Sequence, residues 1–266
     1  MALITVLSRN PDVVAAVEHF RPVAPVTVAR GWERMEALVL TRPVTDVIFD
    51  GASFERSDDV GRLLADFHQD FPSVGLTYVD HGQLDGQNFL TAGLIGREGL
   101  SFGSYGDVRA GVRQGLTRSA IRSPTGMLLR AVGNRTPRFG RETLRAAMFA
   151  ATLGWPSDRF ARHVGYTRPH LSSLLRATRL PSPGQLLTWA KLLHAGHWLC
   201  DPGRTGQSVA AQLDYANGAT FRRALRTYVG LTPTQVVALG GFDAVCRVFL
   251  DVTGLADSVE DGLSAA

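Results

Sequence analysis

The sequence predicts two domains: an α/β domain on a five-stranded parallel sheet with helices on both faces, followed by an all-helical domain. Three observations carry this. Short β-branched runs alternate with amphipathic helical runs up to about residue 118. From about residue 119 the strand signals stop and only helical periodicities remain. Within that second half a block of residues recurs about 50 positions later.

The strands come first. LITVLS (3–8), PVTVAR (25–30), VTDVIFD (44–50), SVGLTYV (73–79) and GLIGRE (93–98) are short, bounded by turn residues and mostly rich in Val, Ile and Thr. Helical patterns lie between them. DVVAAVEHF is one, and DDVGRLLADFHQDF places Val60, Leu63, Leu64 and Phe67 on a single stripe. YGDVRAGVRQGLTRS closes the series. Strand–helix alternation of this kind gives a parallel sheet covered on both faces.

IRSPTGMLLRAVGNRTPRFG separates the halves with prolines and glycines, so 119–140 is read as the linker. Beyond it, helices are expected through RETLRAAMFAATLG, SDRFARHVG, RPHLSSLLRAT, PGQLLTWAKLLHAGHWLC, SVAAQL, GATFRRALRTYV and PTQVVAL. The expected domains are 1–118, 141–240, and a partly mobile C-terminal extension 241–266, whose end DSVEDGLSAA is acidic and rich in small residues.

Composition narrows the function classes. No run of 18 apolar residues exists, which argues against a membrane span. The N-terminal apolar stretch is short and has no basic start, so it does not read as a secretion signal. Cys200 and Cys246 form no C-x-x-C, and a reducing cytoplasm fits. His194, His197 and Cys200 lack an evident fourth ligand, so neither a metal nor any other cofactor is expected. No nucleophile–base pair or phosphate-cradling glycine loop stands out, which argues against an enzyme.

The net charge of +4 hides a division. Residues 1–118 hold 11 Arg and Lys against 15 Asp and Glu, whereas 119–240 hold 16 against 4. The last segment, 241–266, holds 1 against 5. A basic block between acidic ones is either a polyanion-binding module or a solvated basic face.

The repeat bears on that choice. Leu171, Leu175 and Arg176 recur as Phe221, Leu225 and Arg226, 50 residues on, and Ser182-Pro183-x-Gln185 recurs as Thr232-Pro233-x-Gln235. Upstream the offset is 49: Ala161, Val164 and Tyr166 match Ala210, Leu213 and Tyr215. Each copy reads as helix, tight turn, helix. Gly165 and Asp214 mark the turns, because glycine adopts a left-handed backbone freely and aspartate tolerates it. Thr167 is placed to cap the following helix, and the two Ser/Thr-Pro-x-Gln motifs are capping boxes with proline at the first helical position. This is the helix-turn-helix pattern, whose second helix enters a DNA major groove.

On these residues the segment 141–240 resembles the DNA-binding domain of the AraC/XylS transcription regulators, in which a central helix joins two helix-turn-helix units. Val209, Ala210, Leu213, Tyr215, Phe221, Leu225, Gly230, Thr232 and Pro233 fall on its hallmark positions. Two positions depart: Asp214 replaces the turn glycine, and Leu180 replaces the glycine that ends the first recognition helix. The central helix, from Pro183 to about Leu199, has the length to set the recognition helices roughly one DNA turn, ~34 Å, apart.

Burying Leu171, Leu174 and Leu175 leaves Arg168, Pro169, Ser172, Ser173 and Arg176 outward on the first recognition helix. The resemblance puts base reading on Pro169, Ser172 and Ser173, with His170 nearby. In the second unit the outward residues are Asn217, Gly218, Thr220, Arg222, Arg223 and Arg226. Arg223 matches a position near bases, where a bidentate guanine contact gives ~1–3 kcal/mol of discrimination. Arg222 and Arg226 are read as phosphate contacts, which position without reading sequence.

The first half resembles the receiver domain of two-component response regulators. Asp50, ending the third strand, stands at the phospho-acceptor position, and Thr77 at the hydroxyl position on strand four. The acidic pair that would hold Mg²⁺ is replaced by Ser8 and Arg9, and Arg97 takes the place of the lysine after strand five. These departures imply a pseudo-receiver in which Arg9 and Arg97 stand in for the cation, acting in regulation or dimerisation without ordinary phosphorylation. The reading is a bacterial cytoplasmic transcription regulator, with double-stranded DNA, RNA polymerase and a second copy of the chain as partners. Two alternatives stay open: a regulator controlled by phosphorylation of Asp50, and a protein-interaction module that does not bind DNA.

Overall fold

The computed structural model describes residues 3–21, 25–53, 57–80, 100–104 and 107–256. They fall into two compact units, Met1–Ser123 with Trp198–Asn217, and Pro124–His197 with Gly218–Ala266.

The first unit is α/β. Its strands are β1 (Leu3–Leu7), β2 (Val26–Ala29), β3 (Val44–Asp50), β4 (Gly75–Asp80) and β5 (Leu100–Ser104). They pair in parallel in the order β2-β1-β3-β4-β5, with Val6 opposite Val28 and Ile48, and Ile48 opposite Thr77. Alternation along the strands builds two cores. Leu7, Val47 and Phe49 face α2 (Trp32–Thr41) and α3 (Ser57–Asp70), through Met35, Leu38, Val39, Val60, Leu64 and Phe67. Ile4, Val6 and Ile48 face α1 (Pro11–Glu18) and α4 (Val108–Arg122), through Val13, Val17, Val108 and Val112. Helices therefore cover both faces of the sheet. The expected strand at 93–98 lies outside the described residues. The edge strand is Leu100–Ser104, whose LSFGS lacks the Val and Ile signal of the others.

The second unit is helical: α5 (Pro124–Val132), α6 (Arg138–Thr152), α7 (Ser157–His163), α8 (Arg168–Ala177), α9 (Pro183–Trp198), α11 (Gly218–Val229), α12 (Pro233–Ala238) and α13 (Phe242–Thr253). The remaining helix, α10 (Gly206–Gln212), belongs to the α/β unit. Phe160, Leu171, Leu175, Leu193, Phe221, Leu225 and Phe249 are buried in the helical unit's core. Trp189 packs edge-on against Phe249 and Tyr228. Gly196 meets the Gly241 carbonyl and Val245 so closely that a Cβ would sit 2.9 Å from that oxygen.

Three boundaries differ from expectation. Most of the expected linker is helical, because α4 runs to Arg122 and α5 starts at Pro124. Proline there occupies the first helical position, where its fixed φ and missing N–H suit a helix start. The C-terminal extension contains α13, held by buried Phe242, Val245 and Phe249, while 257–266 lies outside the described residues. Finally, Trp198–Asn217 clusters with the α/β unit although it falls inside the expected 141–240 domain.

Candidate nucleic-acid interface

Both helix-turn-helix turns are made the same way. In the first, Gly165 has φ 90°, its N–H donates to the Arg162 carbonyl at 3.0 Å, and Tyr166 N–H to Ala161 at 3.0 Å. In the second, Asp214 has φ 56°, its N–H donates to Ala211 at 3.1 Å, and Tyr215 N–H to Ala210 at 3.0 Å. These are the same two bonds at an offset of 49, with aspartate doing the glycine's work. The recognition helices also end alike: Leu180 N–H donates to Leu175 at 2.9 Å, and Gly230 N–H to Leu225 at 3.2 Å. At the end of α8 the left-handed residue is Arg179 (φ 59°), one position before Leu180, which is thereby free to turn inward and is buried. The lost glycine is absorbed by its neighbour.

The caps divide. Thr232 and Gln235 form a full capping box at α12. At α9 the Gln185 side chain accepts from the Ser182 N–H at 3.2 Å and from its hydroxyl at 2.8 Å. Thr167 is the N-cap residue of α8, but its side chain makes no capping hydrogen bond. The first turn of α8 instead has proline at its second position, which removes one donor needing a cap.

On α8, Leu171 and Leu175 are fully buried, while Leu174 is only half-buried, at the margin of the apolar stripe. Arg168, Pro169, His170, Ser173 and Arg176 are exposed and Ser172 is half-buried. The Ser173 hydroxyl donates to the Pro169 carbonyl at 3.2 Å, and His170 leans on Tyr166 with ring centroids 5.1 Å apart. On α11, Phe221, Leu225 and Val229 face the core, Thr220, Arg222, Arg223 and Arg226 are exposed, and Gly218 at the tip is half-buried. Asn217 is exposed and ends the α/β unit. Among the described residues, Arg168, Arg176, Arg222, Arg223 and Arg226 have no carboxylate partner. The three arginines of α11 share a cleft of about 400 Å³ with Thr227, Thr232 and Pro233. Thr232 was read from sequence as a cap and a hallmark position but not as part of this cleft, and Thr227 was not singled out at all. The threonine–proline that opens the next helix, six residues past Arg226, was the signal.

Within the central helix, His194 is buried against the Met148 carbonyl, with Nε2 3.0 Å from the oxygen. Burial drives its imidazole down to about 3, so it is a neutral core residue near pH 7. Trp189, Leu192, Leu193 and Trp198 are buried, as their spacing implies.

In the α/β unit Asp50 is fully buried at the end of β3. Its Oδ2 accepts from the Ser8 hydroxyl at 2.6 Å and the Ser53 hydroxyl at 3.0 Å. Arg9 is exposed, and its backbone N–H donates to Ser53 Oγ at 2.7 Å. Thr77 is buried on the neighbouring strand, whereas Arg97 lies outside the described residues. Ser53 escaped the sequence reading; its signal is a hydroxyl three positions beyond a strand-end carboxylate. A cleft of about 280 Å³ opens beside these groups, lined by Ser8, Arg9, Arg30, Gly31, Trp32 and Ser53 among others.

A family model described as a helix-turn-helix domain matches residues 160–238. The match takes in both turns and both recognition helices, and it supports an AraC-type helix-turn-helix DNA-binding domain in this segment. No curated protein and no solved structure matches the chain. No helix among the described residues is long and apolar enough to cross a membrane.

Proposed function

We infer that the protein is a sequence-specific transcription regulator whose two recognition helices, α8 and α11, read successive major grooves of one duplex. The observation that carries this is the duplicated turn followed in each copy by a helix with a buried apolar stripe and outward guanidinium groups free of carboxylates. Arg223 reads base edges, while Arg168, Arg176, Arg222 and Arg226 hold phosphates.

The α/β unit regulates without conventional phosphorylation. Ser8 stands where a metal-binding acid would be needed, and the Asp50 carboxylate is already engaged by two hydroxyls. The regulator acts as a homodimer in a bacterial cytoplasm, with RNA polymerase as a further partner. A protein-interaction role is the rival reading, since Ser172, Ser173 and Gly218 occupy would-be reading positions.

Salt titration of duplex binding separates them. Four phosphate-facing arginines set a limiting slope of roughly −3.6 in log K against log salt, from about −0.9 per contact. A flat slope favours the interaction module. Incubation with a small phosphodonor and Mg²⁺ tests the second claim, and a stable phosphoryl group on Asp50 would overturn it.

A further inference from the structure

Two copies of one turn should be dressed alike, and these are not. The first helix of copy one carries His163, which is exposed, where copy two carries Gln212, which is buried. Gln212 Nε2 donates to the carbonyls of Val39 at 2.9 Å and Leu40 at 2.5 Å, in the last turn of α2. Arg204, just before α10, donates from Nη1 to the same Val39 carbonyl at 2.9 Å and to Gln212 Oε1 at 2.7 Å. Its Nε donates to Asp201 at 2.8 Å, and Asp201 accepts from the Ser73 N–H at 2.9 Å and hydroxyl at 2.5 Å. The last carbonyls of a helix lack intrahelical donors, and a cation is favoured there. The Arg204–Asp201 pair is 0% and 1% exposed. Losing one member of so deep a pair would leave an uncompensated buried charge. Nε and Nη1 of the guanidinium are engaged, while its Nη2 is buried without a hydrogen-bond partner.

We propose that the α/β unit controls DNA reading through this grip: α2 holds the first helix of the second helix-turn-helix, and the second recognition helix is ordered for DNA only while the grip is intact. The proposal rests on the DNA-binding reading above. At seven residues α10 is too short to persist alone, so its position is set by what it packs against. Its main helical neighbour in the unit is α2. At its other end α2 begins at Gly31 and Trp32, in the wall of the cleft beside Arg9 and Arg30. A change in the α/β unit that shifts α2 therefore reaches α10 directly, and the α/β unit is a working part of the DNA-reading apparatus.

The test uses the full chain with Gln212→Leu and the milder Ser73→Ala, neither of which alters a charge. Val13→Ala, which thins the opposite core, is the control. The first readout is native-state hydrogen exchange of the α11 amides, expected to be at least tenfold faster in both grip variants and unchanged in Val13→Ala. The second is affinity and hydroxyl-radical footprint on a duplex selected by the wild-type chain from a random pool. The grip variants are expected to lose at least tenfold in affinity and the half of the footprint made by the second unit. Wild-type exchange rates in α11 of the grip variants, or equal acceleration by Val13→Ala, overturn the proposal. Failure of the wild-type chain to select any duplex refutes the DNA reading, and the exchange measurement still decides the coupling.

Discussion

Replacing Arg222, Arg223 and Arg226 by glutamine, one at a time, separates gripping from reading on α11. The three side chains are exposed while Phe221 and Leu225 of the same helix are fully buried, so the substitutions spare the core. Glutamine also keeps nearly the helix propensity of arginine. One phosphate contact contributes about −0.9 to the slope of log K against log salt, or about 3.5-fold in affinity between 50 and 200 mM. Arg222→Gln and Arg226→Gln are each expected to shallow the slope by about 0.9, and to weaken selected and shuffled duplexes equally. Arg223→Gln is expected to weaken the selected duplex more, erasing ~1–3 kcal/mol of preference at a single base pair. Fluorescence anisotropy with both duplexes across that salt range measures all of this. Unchanged slopes in folded Arg222→Gln and Arg226→Gln would refute the phosphate assignment. Equal weakening of both duplexes by Arg223→Gln would remove it from the reading residues.

Other predictions concern the frame that positions these side chains. Burial lifts the Asp46 carboxyl from 3.8 to about 6, against the lowering hydrogen bonds of Ser119 and Thr45. A carboxyl with a raised folded pKa supports the fold when protonated, so this support is full below about pH 4 and lost as pH rises through 6. Two units correspond to about 3 kcal/mol. Urea melts from pH 4 to 8 should therefore show Asp46→Asn gaining on wild type as pH rises, and a constant gap between them would sink the argument. A Cβ on Gly203 would lie 2.7 Å from the Phe71 ring, while the Gly203 N–H is tied to the Asp70 carbonyl at 2.9 Å. Gly203→Ala is expected to cost ~1–3 kcal/mol by overpacking, whereas Gly184→Ala, with open space around it, should be neutral or better by thermal melting. At Asp214 the left-handed backbone ranks the substitutions: Asp214→Gly should melt at or above wild type, and Asp214→Val below it by ~1–2 kcal/mol. A valine variant as stable as wild type would mean that the turn is not held in that conformation.

Local patterns made much of this legible. Alternation along VTDVIFD sends Val47 and Phe49 to one core and Ile48 to the other, and the strand was placed at its observed bounds. The repeat located both turns, because a left-handed residue after a short helix restricts the choice to glycine and a few tolerant residues. Where reading failed, one residue type served two purposes. Pro124 looked like a linker proline yet starts a helix, and Leu180 looked like a lost terminator although Arg179 had taken over the strained position. In α13 the apolar spacing of Phe242, Val245 and Phe249 was present, but the segment lay beyond residue 240, where the resemblance ended.

The deepest miss is of another kind. Asp201, Arg204 and Gln212 find their partners 128 to 173 residues away, at Ser73, Val39 and Leu40, and no periodicity within a helix encodes such a distance. One clue was nevertheless available in the repeat itself. Where two copies share a fold, positions at which they differ in chemistry mark what each copy touches beyond itself. His163 against Gln212 is such a position, and so is Trp155 against Arg204, 49 residues on. An arginine beneath a helix start calls for acceptors, and here they are the Val39 carbonyl of α2, Asp201 and Gln212. At these two positions the break in the repeat marks contact with α2, whereas Gly165 against Asp214 is a break that serves the turn itself.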